Sequence, residues 1–370
     1  YLNDFMRLMG WNANTNLTFG SFHIDIAPII IVAFFTTLLV FGTKIGARVD
    51  GALTILKIAI VVFIVVVGFF YIKAENFTPF IPPSEPAAST DGSGVSAVME
   101  QPLWQWATGM APSIYGVTGI ISGAALVFFA FLGFDVVATA SEETINPKKN
   151  VPLGIGVGLG LIIVLYTLVA IVTTGMVSYK DLAKQSDPSL AVAFKMVGAD
   201  WAAKIISLGI VIGMATVVMV LLLGLTRVVF AMSRDGLLPR GLSHTGKHGT
   251  PVRLQIIVGV VMALIAACCN VGILSDMVNI GTLSAFTLVA ISIPIMRKKR
   301  PDLERSFKIP GNPWVPILIA LANLWLMVNL SVLTWIRFVV WLIVGFAIYF
   351  GYGYRHARLG AGELEVAAQE

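Results

Sequence analysis

The chain has 370 residues, 57% of them apolar and only 12% charged, with a mean hydropathy of +0.87. Soluble domains hold about 45–50% apolar residues with glycine included and about 25% charged ones; here the first figure is passed before the 35 glycines are added. A water-soluble fold of this length has too little interior for so much hydrocarbon, so the solvent is lipid.

Other classes fall away with the same inventory. Cys268 and Cys269 are adjacent within an apolar run, which excludes a disulfide framework and a cysteine-rich metal site. The four histidines (His23, His244, His248, His356) lie at or beyond the ends of apolar segments and offer nothing to a membrane-embedded metallohydrolase. No phosphate loop or dinucleotide fingerprint occurs. The expectation is a protein that is not an enzyme and uses no cofactor. The net charge of +5 needs no nucleic acid, because its distribution among the loops accounts for it.

A helix needs about 20 apolar residues to cross the hydrocarbon core. Nine segments qualify in chain order: 25–42, 50–72, 117–141, 153–178, 202–231, 253–271, 274–296, 314–333 and 335–355. None alternates as a barrel strand does, and open sheets do not survive in lipid. The expected fold is therefore a single all-α transmembrane domain over residues 1–370.

Every second loop is basic. Lys44 and Arg48 follow the first span, Lys148 and Lys149 the third, and Arg234, Arg240, Lys247 and Arg253 the fifth. Arg297–Arg300, Arg305 and Lys308 follow the seventh, and Arg355 and Arg358 the last. Residues 74–113 hold no Lys or Arg, and 179–200 balance Lys180, Lys184 and Lys195 against Asp181, Asp187 and Asp200. The positive-inside rule makes the basic loops and the C-terminus cytoplasmic and residue 1 external. Residues 1–20 carry no signal segment, so the expectation is a chain missing an odd number of upstream spans; three would give twelve with both ends inside.

Charged residues inside spans are functional candidates by default. Lys57 lies seven residues beyond Asp50, about 10 Å deep at 1.5 Å per residue. One reading is a lysine that snorkels back to the interface; the other is an amine whose burial lets it exchange a proton near physiological pH. Asp135 follows Gly133 in a span crowded with Phe128, Phe129, Phe131 and Phe134. Glycine and then an N-cap residue in mid-span mark a helix break, with Asp135 either capping the inner half or facing a ligand. Discontinuous helices form the midplane sites of secondary transporters. The four phenylalanines taken alone are more often core or lipid-facing than a gate.

Weaker features remain two-sided. Thr216 and Met219, spaced i, i+3, either line a cavity or pack between helices. Asn279-Ile280-Gly281-Thr282 is either an irregularity or a small-residue packing surface. Asn16-Leu17-Thr18 and Asn76-Phe77-Thr78 match the glycosylation sequon by what is often chance.

Several stretches resemble the amino acid–polyamine–organocation superfamily, specifically its cationic amino acid transporter family. They are ARVDGALTILKIAIVVFIVVVG with NFTPFIPP, FFAFLGFDVVATASEETINPKKNVP, GLTRVVFAMSRDGLLP, NIGTLSAFTLVAISIPIMRKKRP with FKIPGNPWVP, and WIRFVVWLIVGFAIYFGYGYRH. The resemblance implies five-plus-five inverted repeats with two appended helices, of which these spans are the fourth to twelfth. It implies that Phe129, Ala130 and Leu132 face substrate, that Phe129 is an aromatic gate and Asp135 a polar gating residue, and that Met219 shapes the side-chain pocket. It implies that Lys57 replaces a bound sodium ion in proton coupling. The family's glycine-rich break in helix one, half of its substrate site, is absent from this sequence. The function so implied is secondary active transport of an amino acid across the cytoplasmic membrane by alternating access, as symport with a proton. An amino acid or polyamine exchanger and a transporter-fold nutrient receptor are the alternatives.

Overall fold

A computed structural model describes residues 16–19, 22–41, 43–86, 98–139, 144–185, 188–244, 251–269, 271–302, 305 and 307–357. In lipid every backbone N–H and C=O must be satisfied within the protein, which forces apolar runs into helices. Two short strands, β1 (Asn16–Phe19) and β2 (Phe22–Asp25), pair antiparallel and lead into α1 (Ile26–Phe41) and α2 (Thr43–Phe69). After a 3₁₀ turn at Ala74–Phe77 come β3 (Glu85–Pro86), α3 (Leu103–Thr108) and β4 (Ser113–Ile114). Then follow α4 (Gly116–Val127), a 3₁₀ turn (Phe128–Phe131), α5 (Phe134–Thr139) and α6 (Pro147–Met176). Two short helices, α7 (Tyr179–Ala183) and α8 (Leu190–Met196), precede the long α9 (Asp200–Arg234). The chain continues through α10 (Val252–Cys268), α11 (Val271–Lys299), α12 (Trp314–Val328) and α13 (Val332–Ile348), then a π turn (Tyr349–Gly353) and α14 (Tyr354–His356).

Among the described residues six helical stretches are long and apolar enough to cross a bilayer: Gly51–Phe69, Gly116–Ala138, Pro147–Met176, Asp200–Arg234, Val271–Lys299 and Val332–Gly353. Three shorter apolar helices, Pro28–Val40, Val252–Cys268 and Trp314–Val328, pack among them. The molecule is an all-α, multi-spanning membrane bundle, and its outward faces carry residues such as Ile55, Phe70, Leu153 and Trp341.

Helix ends overrun the apolar runs. α2 begins at Thr43, α6 at Pro147, and α11 runs on through Arg297–Lys299, because a helix that keeps its hydrogen bonds internal gains nothing by ending before water is reached. The strand pairs were not anticipated from the sequence. β3 pairs with β4 in the register Glu85↔Ile114 and Pro86↔Ser113, which sets the segment after α2 beside the start of α4.

Burial is concentrated in three clusters. Ile64, Val172, Met176, Ala191, Phe194, Ala202 and Ile206 join α2, α6, α8 and α9. Val32, Phe35, Leu39, Met219, Leu222, Leu254 and Val258 join α1, α9 and α10. Ala125, Ile280, Leu283, Met327 and Leu330 join α4, α11 and α12. Glycines permit the closest helix crossings. A Cβ on Gly68 would collide with Val172 and lie 2.8 Å from the Met176 sulfur, and one on Gly209 would meet Ile60. The Asn76 amide of the second sequon donates to the Gly175 carbonyl at 2.7 Å, tying the α2–β3 segment to α6. Asn16 of the first sequon lies in β1.

The crossing at Gly68 yields a stability prediction. Gly68→Val is expected to destabilise the bundle by about 1–3 kcal/mol through overpacking, read as a lowered unfolding temperature in detergent. Gly51→Ala, at a site with nothing within 4 Å of the added carbon, serves as the control and should not lower it.

Candidate functional site

The third apolar segment is interrupted where Gly133 foretold. α4 ends at Val127, the chain tightens into the 3₁₀ turn, and Leu132 is extended (φ −66°, ψ 145°). Gly133 has φ +117°, a conformation that side chains strain to adopt, and helix resumes at Phe134. Asp135 therefore lies within the first turn of α5 instead of ahead of it; its side chain is outside the described residues.

Two side chains from neighbouring helices supply hydrogen bonds at this interruption. The Tyr166 hydroxyl on α6 donates to the Ala130 carbonyl at 3.0 Å. The Asn279 amide on α11 donates to the Leu126 carbonyl at 3.4 Å, while its own carbonyl oxygen is buried without a partner among the described residues. Rings fix the rest. Phe131 meets Tyr166 edge-on at 5.2 Å, and Phe286 of α11 contacts both Phe128 (6.1 Å) and Phe134 (5.2 Å). Phe129 is the exception among the four: it has no ring partner among the described residues and is 45% exposed. Ala130 beside it is exposed and Leu132 is partly buried.

Lys57 does not snorkel. Its ammonium donates to the hydroxyl of Thr216 on α9 at 2.8 Å, and that hydroxyl donates to the Gly213 carbonyl at 2.8 Å. Thr216 is fully buried. The lysine stem crosses α9 at Gly213, where a Cβ would lie 3.3 Å and 3.4 Å from Cγ and Cδ. Among the described residues Lys57 has no carboxylate partner. Gly224, eight residues beyond Thr216 along α9 or about 12 Å, receives Val136 of α5. One helix thus contacts both the lysine and α5, the second half of the broken segment.

The remaining candidates separate. Met219 is 3% exposed and packs with Val32, Phe35, Leu39, Leu222, Leu254 and Val258; the described contacts place it between α1, α9 and α10. The Asn279–Thr282 stretch forms no irregularity, since α11 is continuous through it and Asn279 and Ile280 are wholly buried. Its role is packing, plus the bond to Leu126. Tyr166, Phe286 and Asn279 were not identified as site residues from the sequence. A tyrosine in mid-span is the signal that could have found the first, because a hydroxyl at membrane depth must find an acceptor within the protein.

A cleft of about 530 Å³ opens between the ends of α2 and α6, lined in part by Phe70, Lys73, Met176 and Asp181. It lies away from the break, and Asp181 is already paired with Lys184 at 3.0 Å. The break is the candidate site, since irregular backbone at membrane depth is tolerated only where it is buried in protein or lines a cavity. Among the described residues no group of three or more His, Cys, Asp or Glu side chains could hold a metal ion.

The multi-spanning helical bundle is consistent with a permease fold. The amino acid permease family matches residues 3–351, and the chain belongs to that family, within the amino acid–polyamine–organocation superfamily. It is 39% identical over 336 residues to the branched-chain amino acid permease BcaP of Bacillus subtilis, covering 90% of this chain and 65% of the relative. It is 39% identical over 331 residues to the methylthioribose transporter of Bacillus subtilis, covering 89% and 64%. With the mitochondrial cationic amino acid transporter 3 of Arabidopsis thaliana the identity is 34% over 282 residues, covering 76% and 42%. The chain thus spans about 65% of the length of the first two relatives.

Tyr166→Phe keeps the ring against Phe131 and removes only the donor to Ala130. The expected loss is about 0.6–2 kcal/mol, the range of hydrogen bonds between membrane helices. Hydrogen–deuterium exchange should rise at the amides of residues 128–136 and stay constant in α12.

Proposed function

We propose that this chain is the core of a secondary active transporter that carries an amino acid across the cytoplasmic membrane together with a proton. The observation that carries the reading is the broken span. It exposes Phe129 and Ala130 beside peptide groups that a small polar solute can engage, as helix ends do in transporters with discontinuous helices. In this reading the architecture is five-plus-five inverted repeats with two appended helices, nine spans lie within residues 1–370, and the basic loops and C-terminus are cytoplasmic by the positive-inside rule.

Each residue then has a role. The zwitterionic head of the substrate meets the backbone at Phe129, Ala130 and Leu132, with Phe129 as the aromatic gate. Asp135 gates from the first turn of α5. Lys57, whose ammonium holds the Thr216 hydroxyl across the α2–α9 contact, is the residue of proton coupling. Met219 keeps the side-chain region apolar, which supports neutral substrates, and the branched-chain permease among the relatives agrees with that choice. The relatives named for cationic amino acids and for methylthioribose define the competitors to test.

Uptake into proteoliposomes decides the matter. Lys57→Ala is expected to abolish the dependence of uptake on an imposed pH gradient; uptake with unchanged pH dependence would overturn the proton-coupling role. Met219→Ser is expected to change the ranking of leucine, lysine and methylthioribose as competitors, and an unaltered ranking removes Met219 from the pocket. Uptake that requires internal substrate and ignores pH would mark an exchanger instead.

A further inference from the structure

The broken span joins two packed groups. Its outer half, α4, is buried with α11 and α12 through Ala125, Ile280, Leu283 and Met327. Its inner half, α5, contacts α6 and α9, which are packed with α2 through Ile64, Val172, Phe194 and Ile206. Relative movement of the two groups would act on residues 128–133 and on any side-chain bridge elsewhere between them.

One such bridge is polar and lies at the entrance to α4. Lys180 of α7 donates to Glu85 of β3 at 2.7 Å. The same ammonium sits 5.8 Å from the centre of the Tyr115 ring, and Tyr179 meets Tyr115 edge-on at 5.2 Å. α7 belongs to the α2–α6 side: only two residues separate it from the end of α6, and its Leu182 packs against the cluster of Ile64, Val172 and Phe194. Glu85 belongs to the α4 side, since β3 pairs with β4 immediately before α4. Tyr115 itself has φ +62°, and Gly116 after it has φ +64° with Ser84 packed so close that a Cβ would lie 3.1 Å from it. A non-glycine residue in that conformation is strained and must be held by its surroundings. Those surroundings include Tyr179 and Lys180.

We propose that Lys180 and Glu85 are a positioning pair that latches α7 to the entrance of the outer half-helix and must part in each transport cycle. The inference rests on the transport reading above. Its strength suits a latch. Both side chains are close to half exposed (46% and 42%), and pairs so placed shift an equilibrium by no more than about fivefold, enough to bias two states without trapping one. Hydrogen bonding to Glu85 also raises the lysine above its ordinary pKa, so Lys180 is charged at physiological pH.

The test uses proteoliposomes holding the protein with Glu85→Cys and Lys180→Cys together. A short bifunctional methanethiosulfonate bridges the thiols, and a reductant releases them. The expected result is that bridging, verified by mass spectrometry, arrests uptake and reduction restores it, while each single cysteine variant treated alike transports as before. A bridged protein that transports at the unbridged rate overturns the latch while leaving the transport reading intact; unsubstituted protein that takes up no amino acid contradicts both. As a second measure that leaves the thiols out, the exchange Glu85→Lys with Lys180→Glu should restore the KM that Lys180→Met alone shifts by up to about fivefold. A KM unmoved by Lys180→Met would also count against the latch.

Discussion

The backbone at residues 128–133 must satisfy its peptide groups where no bulk water is available, and much of the surrounding architecture answers that demand. A span that stays helical meets the requirement by itself. One that stops at Val127 and restarts at Phe134 must take donors and acceptors from elsewhere. The bundle supplies a phenol from α6 and a carboxamide from α11. The first ties the irregular segment to α6, and the second ties the end of α4 to α11.

The lysine contact obeys the same logic with a charge added. An ammonium in a span is tolerated when its stem can lie along protein and its head finds an oxygen. Gly213 provides the room, and the hydroxyl of Thr216 provides the oxygen. A larger residue at 213 would crowd the stem. Small residues on α9 also admit Ile60 at Gly209 and Val136 at Gly224, so one helix organises three separate contacts by omitting side chains at chosen positions.

What could be read in the sequence was what lipid dictates locally. Composition fixed the solvent, apolar runs gave the helices, and Gly133 marked the interruption because φ of +117° is open to glycine alone. What could not be read was which way a side chain turns once helices meet. Lys57 was legible as a buried charge, yet snorkelling and inward pairing share one sequence and differ only in whether Gly213 lies beneath the stem. Met219 was legible as apolar, but its burial among Val32, Leu222 and Leu254 depends on the approach of α1 and α10. Tyr166 lies 36 residues from Ala130, and no spacing rule reaches that far. The β3–β4 pair is two residues a side, too short for any alternation to register.

The interruption also imposes a rule of length. α4 is seated against α11 and α12 while α5 is seated against α9, so the link between them works as a fixed spacer joining two separately clamped screws. One residue added or removed between Val127 and Phe134 would shift the register of α5 against α9, moving Val136 off Gly224. Substitutions within the spacer other than at Gly133 are a gentler matter, so its count of residues constrains the protein more tightly than most of its chemistry does.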